Sequence, residues 1–405
     1  MIVPAWNAGG SIERALRSVL DDPDLDLECI VIDDGCTDDT AEVVDRLAAT
    51  DPRVVVLRAP VNEGVSSARN RALRAARGTW LTFLDADDRL LPGGLAAMLR
   101  AAAGGDVLTV VGQRLWTDGR RTWRAAPYEI PDIRLPGRKS IVTHPGLMYY
   151  ASATGKLFHR SLIDGLWFEG RVLGDQPWTI RALLRAGDRI EVIDADVYEW
   201  RRPVDEASTT SITATKRASA RLATEAARVA VGALAEVSAE ADAQVADPTA
   251  RRGVVAAYFE RLVASDLAGP VRRAVTRADE GSDALFDAIG AFLAAAPREL
   301  VGRSAAVAED ILRAPLDRWL RFREPGRAAY LRLLRIVTAD QPELLARLGG
   351  YGLLRTAVRI LRSSDAPVAR AAATMLLAAH WPFGLVHRLR RRRPQTFVTG
   401  GASPR

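Results

Sequence analysis

Two aspartates, Asp85 and Asp87, directly follow an apolar stretch at residues 79–84 (TWLTFL). Side chains alternate along a strand, so both carboxylates can point the same way if the extended backbone continues through Ala86. Two such carboxylates can hold one Mg²⁺ or Mn²⁺ ion, which fills its remaining positions with water and substrate phosphates. The spacing therefore predicts a metal-dependent site for a diphosphate substrate. Alternatively, Asp87 or Asp88 caps the following helix, and the motif alone does not choose between these roles.

The elements that must position these aspartates are predicted to alternate between strands and helices. Half a strand at the N-terminus is followed by strands at residues 27–32, 53–57 and 79–84, with helical spacing of apolar residues between them. This order predicts an α/β fold with a parallel, doubly wound sheet and right-handed crossovers. The stretch at 79–84 is typical of a central strand that is buried on both faces. Its end should reach the carboxyl edge of the sheet, where open α/β sheets bind their ligands.

Each of the four predicted strands is followed by a polar cluster. The clusters are Asn7, the pair Asp33 and Asp34, residues 62–69 and residues 85–87. Since all four fall on one edge of one sheet, they favour a ligand site far more than a single acidic loop would. No P-loop and no dinucleotide fingerprint is present, so the sequence predicts a nucleotide site of another kind.

Single residues in these clusters have a possible binding role and a plain structural one. Asp34 could accept a hydrogen bond from a nucleobase N–H, or with Asp33 it could order the Gly35 turn and cap the next helix. Gly64 would let a ligand approach the backbone, or would only relieve a tight turn. Arg69 could reach a base or a phosphate, or could be an ordinary exposed arginine.

Four segments, taken together, carry a family resemblance. MIVPAWN, IVIDDGCTDDT, NEGVSSARNRAL and GTWLTFLDADD occur in this order over about the first half of the chain. As a set they resemble family-2 glycosyltransferases with the GT-A fold. The resemblance implies an inverting, metal-dependent transfer of a sugar from a nucleotide-diphosphate sugar to an acceptor hydroxyl. Trp6 stands where that family usually has Tyr or Phe, and Cys36 stands where it usually has Ser.

The resemblance also implies roles for the matching positions. Residues around Pro4 and Asp34 would surround the nucleotide, Asp85 would lie against the nucleotide sugar, and Asp87 would bind Mn²⁺ or Mg²⁺ on the diphosphate. The candidate nucleotide-sugar-binding residues are Pro4, Ala5, Asn7, Asp34, Asn62, Gly64, Arg69, Asp85 and Ala86.

A catalytic base is expected further along the chain. Pro177 suits the first turn of a helix, and Asp175 lies just before it, at or next to the cap. Capping is the structural role for Asp175. The family places its general base in an acidic pair before this helix, which implies that Asp175 is the base. In this chain the pair reads Gly174-Asp175, so the first carboxylate is missing.

Composition limits the other classes of function. The 405 residues carry a net charge of +6, but most arginines are spread along predicted helices, which favours solvated faces over a nucleic-acid site. The two cysteines indicate no disulfide framework, and no apolar run approaches a membrane span. We therefore expect a cytoplasmic protein. A basic block at residues 388–393 follows an aromatic patch, which suits peripheral contact with the inner face of the membrane or a solvated tail.

The domain organisation is predicted from changes in composition and in the spacing of apolar residues along the chain. Residues 1–205 form the GT-A catalytic domain, 206–220 a linker, 221–380 an all-α domain and 381–405 a basic, disordered tail. The segment at 208–213 (STTSIT) is either a loop over the donor or plain linker. The helical domain could bind acceptor, form oligomers or dock on a membrane surface.

The predicted function is sugar transfer to a glycan or lipid-linked acceptor in cell-surface polysaccharide synthesis. A catalytically degenerate GT-A protein, acting as a nucleotide-sugar-binding or assembly module, is the alternative, because Gly174 replaces an acidic residue. A sugar nucleotidyltransferase would need a glycine-rich, basic N-terminal loop, and residues 4–10 do not provide one.

Overall fold

Three parallel strands and three helices open the fold in the predicted order. The computed structural model describes residues 1–124, 129–170, 172–201, 220–271, 282–313, 330 and 333. The strands are β1 (Ile2–Ala5), β2 (Cys29–Asp34) and β3 (Val54–Ala59), and the helices are α1 (Ile12–Leu20), α2 (Thr40–Thr50) and α3 (Val65–Ala75). Helix α1 shows why these elements pack, since its apolar residues recur at helical spacing and are buried. They are Ile12, Ala15, Leu16, Val19 and Leu20.

The stretch that leads to the aspartates lies beside β1 in the middle of the sheet, as predicted. Ile2 N donates to Thr82 O at 2.9 Å, and Leu84 N donates to Ile2 O at 3.0 Å. These bonds and the Ile2–Phe83 bridge make the stretch parallel to β1. Phe83 and Leu84 are fully buried in separate hydrophobic clusters, which confirms burial on both faces.

The second half of the sheet is mixed rather than parallel. Its strands are β4 (Trp80–Leu81), β5 (Arg89–Leu90), β6 (Thr109–Thr117), β7 (Thr122–Trp123), β8 (Gly137–Lys139), β9 (Lys156–His159) and β10 (Ile190–Arg201). The order is β4-β9-β6-β10-β5, in which β9 runs antiparallel to both neighbours and β10 runs parallel to β6. The all-parallel arrangement therefore holds among the first four predicted strands, whereas the later strands pair in both directions. Beyond them, β10 is one long strand whose pairing with β6 has register shifts.

Helices cover both faces of this sheet, which confirms the doubly wound α/β class. The remaining helices of this part are α4 (Gly94–Ala102), α5 (Pro131–Arg134), α6 (Arg160–Ile163) and α7 (Asp175–Ala186), with a 3₁₀ turn at Pro145–Tyr150. Alternate residues of β1 and β2 point to opposite clusters, as a pleated strand requires. Ile2 and Ile30 pack with residues of α3 and α7, whereas Val3 and Val31 pack with residues of α1, α2 and α4.

Beyond the sheet, the described chain is helical. The helices are α8 (Ala220–Gln244), α9 (Pro248–Arg261), α10 (Ser282–Ala295) and α11 (Arg298–Arg303), with π-helical segments at Leu262–Leu267 and Val307–Arg313. Helix α8 packs along α7, where Arg181 and Arg185 form ion pairs with Glu240 at 3.2 and 2.9 Å. In the described residues, no helix is long and apolar enough to cross a membrane.

Several sequence predictions lie outside the described residues. These are the linker up to residue 219 with its STTSIT segment, most of the predicted helical domain beyond residue 313, and the basic tail at 381–405. The predicted domain boundaries therefore remain a prediction.

Candidate functional site

The loops after β1 and β2 interlock through hydrogen bonds. Asn7 adopts a left-handed backbone with φ of 49°, which asparagine tolerates better than most residues. Its side-chain oxygen accepts from Thr37 N at 2.8 Å. Ala8 N donates to Thr40 Oγ1 at 2.7 Å, and Gly9 N donates to Asp38 Oδ2 at 3.0 Å. Backbone from the first loop is therefore held by side chains of the second.

Asp34 joins the β2 loop to the loop after β3. Its two carboxylate oxygens accept from Glu63 N at 3.0 Å and Gly64 N at 2.8 Å. The carboxylate is buried, and each of its oxygens retains capacity for a further hydrogen bond. At Gly35, where φ is 69°, a Cβ atom would lie 2.5 Å from the Val61 carbonyl carbon, so only glycine lets the two loops pack this closely.

The structural role predicted for the Asp33–Asp34 pair is half right. Asp33 Oδ1 accepts from Cys36 N at 2.9 Å and so orders the Gly35 turn. Neither residue caps α2, because that helix begins only after Asp39. The loop between β2 and α2 is long enough to separate the turn from the cap.

Arg69 is a buried residue of the site and not an exposed arginine. Its side chain is 6% exposed, and Nη2 donates to Asp85 Oδ1 at 2.9 Å. The guanidinium lies 5.8 Å from the Phe83 ring centroid and 5.3 Å from that of Phe168. This packing fixes Asp85 against α3, so one oxygen of that carboxylate is committed to the protein.

The extended backbone ends at Asp85 and does not continue to Asp87. Asp88 N donates to Asp85 O at 3.0 Å, which closes a turn over Ala86 and Asp87. The condition under which strand alternation would align Asp85 with Asp87 is therefore not met, because the backbone turns at Ala86. Asp85 lies at the end of the extended stretch, whereas Asp87 lies within the turn.

Asp87 is the aspartate left open to a ligand. Its side chain is exposed, and within the described part of the chain it makes no hydrogen bond or ion pair with another side chain. Loss of solvation within the crowded loops, and then the negative charge of Asp85, raise the pKa of Asp87 to about 6. Arg14 Nη2 donates to the Asp87 carbonyl oxygen at 2.9 Å and so holds the turn from the side of α1.

Asp88 anchors the turn to the far side of the sheet, a role that the sequence did not indicate. It accepts from Tyr198 Oη at 2.6 Å and from Arg201 N at 2.8 Å, and Asp85 N donates to Tyr198 Oη at 3.2 Å. Burial, followed by the charges of Asp87 and Asp85, raises the pKa of Asp88. The predicted helix-capping role is wrong for both Asp87 and Asp88, since α4 begins after Gly93 without a side-chain cap.

Asp175 is the first residue of α7, as the Pro177 signal predicts. The residue before it, Gly174, precedes the helix without a capping side chain, and Leu173 has a strained φ of 62°. The Asp175 carboxylate is half-buried and has no hydrogen-bond or ion-pair partner among the residues that the structure describes. The capping role for Asp175 is therefore absent, and its oxygens accept no hydrogen bond from the described residues.

Two contacts connect the Asp175 loop to the rest of the site. Ser66 Oγ, in the first turn of α3, donates to Gly170 O at 2.5 Å. Asn70 and Phe168 exchange two hydrogen bonds of 2.8 Å between the Asn70 side chain and the Phe168 backbone. The helix that carries Arg69 therefore also supports the loop that leads to Asp175.

A buried lysine lies near Asp175, and sequence analysis missed it. Lys156 is 1% exposed, donates to Ser152 O at 2.8 Å and places Nζ 3.3 Å from the Tyr150 ring centroid. Burial and the Arg114 charge lower the pKa of Lys156, while the Asp175 charge acts to raise it. The available signal was a lysine at the start of the apolar run KLF, which is unusual for a buried strand.

The other predicted residues fall in the same loop cluster. Pro4 and Ala5 end β1, Asn62 and Gly64 lie in the loop that Asp34 holds, and Ala86 is buried in the aspartate turn. A cavity of about 830 Å³ lies beside this cluster, between α1 and residues 89–96, with Arg14 in its wall. The cavity adjoins the aspartate turn and does not contain Asp34 or Asp175.

This arrangement defines a GT-A type of α/β domain, in which polar loops at the carboxyl edge of a sheet surround a free aspartate. Residues 1–167 match the family model described as "Glycosyl transferase family 2". These residues therefore form a glycosyltransferase family 2 domain, and the resemblance seen in the sequence is confirmed.

A solved structure shares the fold, and curated relatives are similar to part of the sequence. The S. aureus protein TarS, residues 1–349 in complex with UDP-GlcNAc, has a TM-score of 0.63 at 17% identity, covering 86% of this chain and 90% of that chain. This likeness shows a shared fold. The uncharacterized glycosyltransferase EpsJ of Bacillus subtilis (strain 168) is 29% identical over 209 residues, which are 50% of this chain and 60% of EpsJ.

A third relative has a more specific name. It is the GalNAc(5)-diNAcBac-PP-undecaprenol beta-1,3-glucosyltransferase of Campylobacter jejuni subsp. jejuni serotype O:2 (strain ATCC 700819 / NCTC 11168), which is 38% identical over 103 residues. The match covers 25% of this chain and 33% of that protein. The chain thus spans less than two thirds of the length of the curated relatives that it matches.

Proposed function

We propose that this protein is an inverting glycosyltransferase, which moves a sugar from a nucleotide-diphosphate sugar to an acceptor hydroxyl. One observation carries the proposal. The four loops at the carboxyl edge hold one another through hydrogen bonds, yet the Asp87 carboxylate pairs with no other side chain among the described residues. A polar loop cluster with one exposed carboxylate suits a ligand that brings its own phosphates.

The nucleotide is proposed to bind across the first three loops. Asp34 and Asn7 supply hydrogen-bond acceptors there, and Trp6 offers an aromatic face that is 45% exposed. Val61, which packs against Gly35, adds an exposed apolar surface beside them. A nucleobase has an apolar face and N–H donors, so it matches this combination of an aromatic ring and acceptors. Binding of UDP-GlcNAc by the structural neighbour TarS supports a sugar nucleotide as donor.

A divalent cation, Mn²⁺ or Mg²⁺, is proposed to bind at Asp87. The donor set fits a hard cation, since such ions prefer carboxylate oxygens and Asp87 is exposed and pairs with no side chain in the described part of the chain. Among the described residues, no group of three or more His, Cys, Asp or Glu could hold a metal alone, so the donor's phosphates would supply the remaining ligands. When bound, the ion would neutralise charge on the departing diphosphate. Asp85, held by Arg69, would face the sugar.

Asp175 is proposed to act as the general base. A sugar hydroxyl is a weak nucleophile until a carboxylate takes its proton. As Asp175 accepts the proton, the acceptor oxygen bonds to the anomeric carbon, and the bond from that carbon to the diphosphate oxygen breaks on the opposite face. The anomeric configuration is then inverted. The free carboxylate of Asp175 at the start of α7 supports this role.

The biological setting is proposed to be cell-surface glycan synthesis at the inner face of the membrane. The name of the Campylobacter relative specifies an undecaprenol-linked acceptor, and a lipid-linked or glycan acceptor is accordingly proposed here. Peripheral contact through the basic tail, and oligomer formation through the helical region, are further parts of this proposal.

The test combines donor binding with turnover. UDP-glucose, UDP-GlcNAc and GDP-mannose are screened by thermal shift with and without Mn²⁺, and release of the nucleoside diphosphate is then measured. We expect metal-dependent stabilisation by one donor. Asp175→Asn should lower kcat by about 10²- to 10⁴-fold, since a positioned base contributes that much, while donor stabilisation stays unchanged. Asp87→Ala should abolish the effect of Mn²⁺.

The matched control is Asp194→Asn, which changes an exposed aspartate of β10 in the same way. It should retain wild-type turnover. No stabilisation by any donor would overturn the proposal, and unchanged turnover in Asp175→Asn would remove that residue from the mechanism. Donor binding without any release of nucleoside diphosphate would identify a binding module instead.

A further inference from the structure

Gln176, the residue after Asp175, is held by the helical region. Its Nε2 donates to Asp266 Oδ1 at 3.1 Å, and its Oε1 accepts a hydrogen bond from Arg261 Nη1. Arg261 Nη1 also donates to Asp266 Oδ2 at 2.8 Å, so the three side chains form a closed set. Gln176 is 9% exposed and Arg261 is 7% exposed. Water therefore competes little for these bonds.

A local change of helix type brings the two partners of Gln176 together. Arg261 ends α9, and Asp266 lies five residues later in the π-helical segment Leu262–Leu267. In an α-helix, residues five apart point about 140° away from each other. In a π-helix they lie roughly one turn apart, so both side chains can reach Gln176. Single π turns are frequently found at functional sites.

The chain just before α7 needs such a support. Leu173 has a φ of 62°, a strained conformation that persists only when neighbouring contacts enforce it. Upstream, the loop is tied to α3 through Gly170 and Phe168. The Asp175 carboxylate itself has no partner in the described chain, so its position depends on the backbone on either side. Gln176 supplies the second anchor of that backbone.

We propose that Gln176, Arg261 and Asp266 are positioning residues, through which the helical region fixes the proposed base Asp175 at the start of α7. This inference rests on the proposed role of Asp175 as base. In this proposal the helical region contributes to catalysis by positioning the base, independently of any role in binding the acceptor. The helices would then be required for turnover even with a soluble acceptor.

The test compares two variants of α7 in the full chain. Gln176→Leu removes both side-chain hydrogen bonds and leaves Arg261 paired with Asp266. Arg185→Met, about 14 Å further along the helix, removes an ion pair to α8 and hydrogen bonds to two backbone carbonyl groups. We expect Gln176→Leu to lower kcat at least tenfold with the donor KM unchanged. Arg185→Met should keep the wild-type kcat even if it lowers the Tm as much as Gln176→Leu does.

A rescue variant separates positioning from general damage. Gln176→Glu combined with Asp266→Asn moves the negative charge from position 266 to position 176. The new glutamate can still accept a hydrogen bond from Arg261, and the new asparagine can donate a hydrogen bond to that glutamate. This double variant should recover at least half of the wild-type kcat. Hydrogen exchange of residues 168–176 should be faster in Gln176→Leu than in the wild type and unchanged in Arg185→Met.

The outcomes of this experiment are distinct from those of the functional test. Equal loss of kcat in Gln176→Leu and Arg185→Met, or wild-type exchange at residues 168–176 in Gln176→Leu, would overturn the positioning role. Loss of turnover in Gln176→Leu without rescue by the double variant would overturn it as well. The exchange measurement needs no donor, so it can be read even if the wild type turns over no sugar nucleotide.

Discussion

Asp85, Asp87 and Asp88 lie within four residues but have three different environments. Asp85 is paired with Arg69, Asp88 is buried against Tyr198, and Asp87 has no side-chain partner in the described residues. Asp85 and Asp88 fix the position of this turn through their contacts with the protein, and the third carboxylate, that of Asp87, is left exposed. Residue type alone cannot assign these roles, since all three side chains have the same chemistry.

Trp6 provides a residue-scale prediction about the nucleotide. Its ring is 45% exposed and lies between Ala5 and Asn7 in the first loop. If the nucleobase stacks on it, Trp6→Ala should weaken binding of UDP or GDP about tenfold, which corresponds to about 1.4 kcal/mol. The fold should be unaffected because the side chain contributes little to the core. Calorimetric titration of whichever nucleotide binds the wild type measures the change.

Trp167→Ala is a matched control for this prediction. Trp167 is 42% exposed, but it packs on Arg74 and lines a cavity of about 550 Å³ away from the loop cluster. Its loss should leave nucleotide affinity unchanged. Equal affinity of the wild type and Trp6→Ala would mean that the base binds elsewhere.

At the scale of an element, the loop that precedes α7 leaves no room for a side chain at Gly174. A Cβ atom at this position would lie 2.5 Å from Glu169 O and 2.6 Å from Ser66 Oγ. The φ of Gly174 is −60°, so the backbone conformation itself would accept any residue. Space is therefore the constraint, and the loop has packed into the volume that a side chain would occupy.

A substitution at Gly174 tests this constraint. Gly174→Ala should destabilise the protein by about 1–3 kcal/mol, as overpacking of a close-packed site does, and should lower kcat by displacing Asp175. Chemical denaturation and steady-state turnover measure the two effects. Gly232→Ala, in the interior of α8 with open space around it, should instead be neutral or slightly stabilising. If Gly174→Ala kept wild-type stability and turnover, the loop would be able to move away from the added methyl group at no measurable cost.

The sequence was sufficient to predict some elements and not others. Alternation of strands and helices predicted the parallel half of the sheet, because local periodicity and short connections determine that arrangement. It could not predict that β9 runs antiparallel between β4 and β6, because that pairing depends on long-range contacts such as Trp80 with His159. The same limit applies to the site. The convergence of four loops follows from topology, whereas the bonds from Asp34 to Glu63 and Gly64 depend on tertiary packing.

At the scale of the whole molecule, the sheet and the helices share one hydrophobic core. The cluster that contains Ile2, Phe83 and Trp178 continues through Ala226 and Val237 of α8 without interruption. Ion pairs from α7 to α8 lie over the same interface, where Glu240 is 6% exposed. The face of α7 that the helices cover combines apolar side chains with these ion pairs, and water would contact it if the helices were removed.

Removing the helices should therefore damage the catalytic domain as well as the proposed base. A chain that ends at residue 219 loses the apolar cover of α7 and both partners of Gln176. We expect it to lose at least about 3 kcal/mol of unfolding free energy, since it also breaks largely buried ion pairs, and its Tm should fall by at least about 6 °C. Calorimetry and soluble yield measure this effect. A chain that ends at residue 380 removes only the predicted basic tail and should unfold like the full chain. If the chain ending at 219 unfolded at the full-length Tm and kept full turnover, the helices would be an independent attachment and the shared core would contribute no stability.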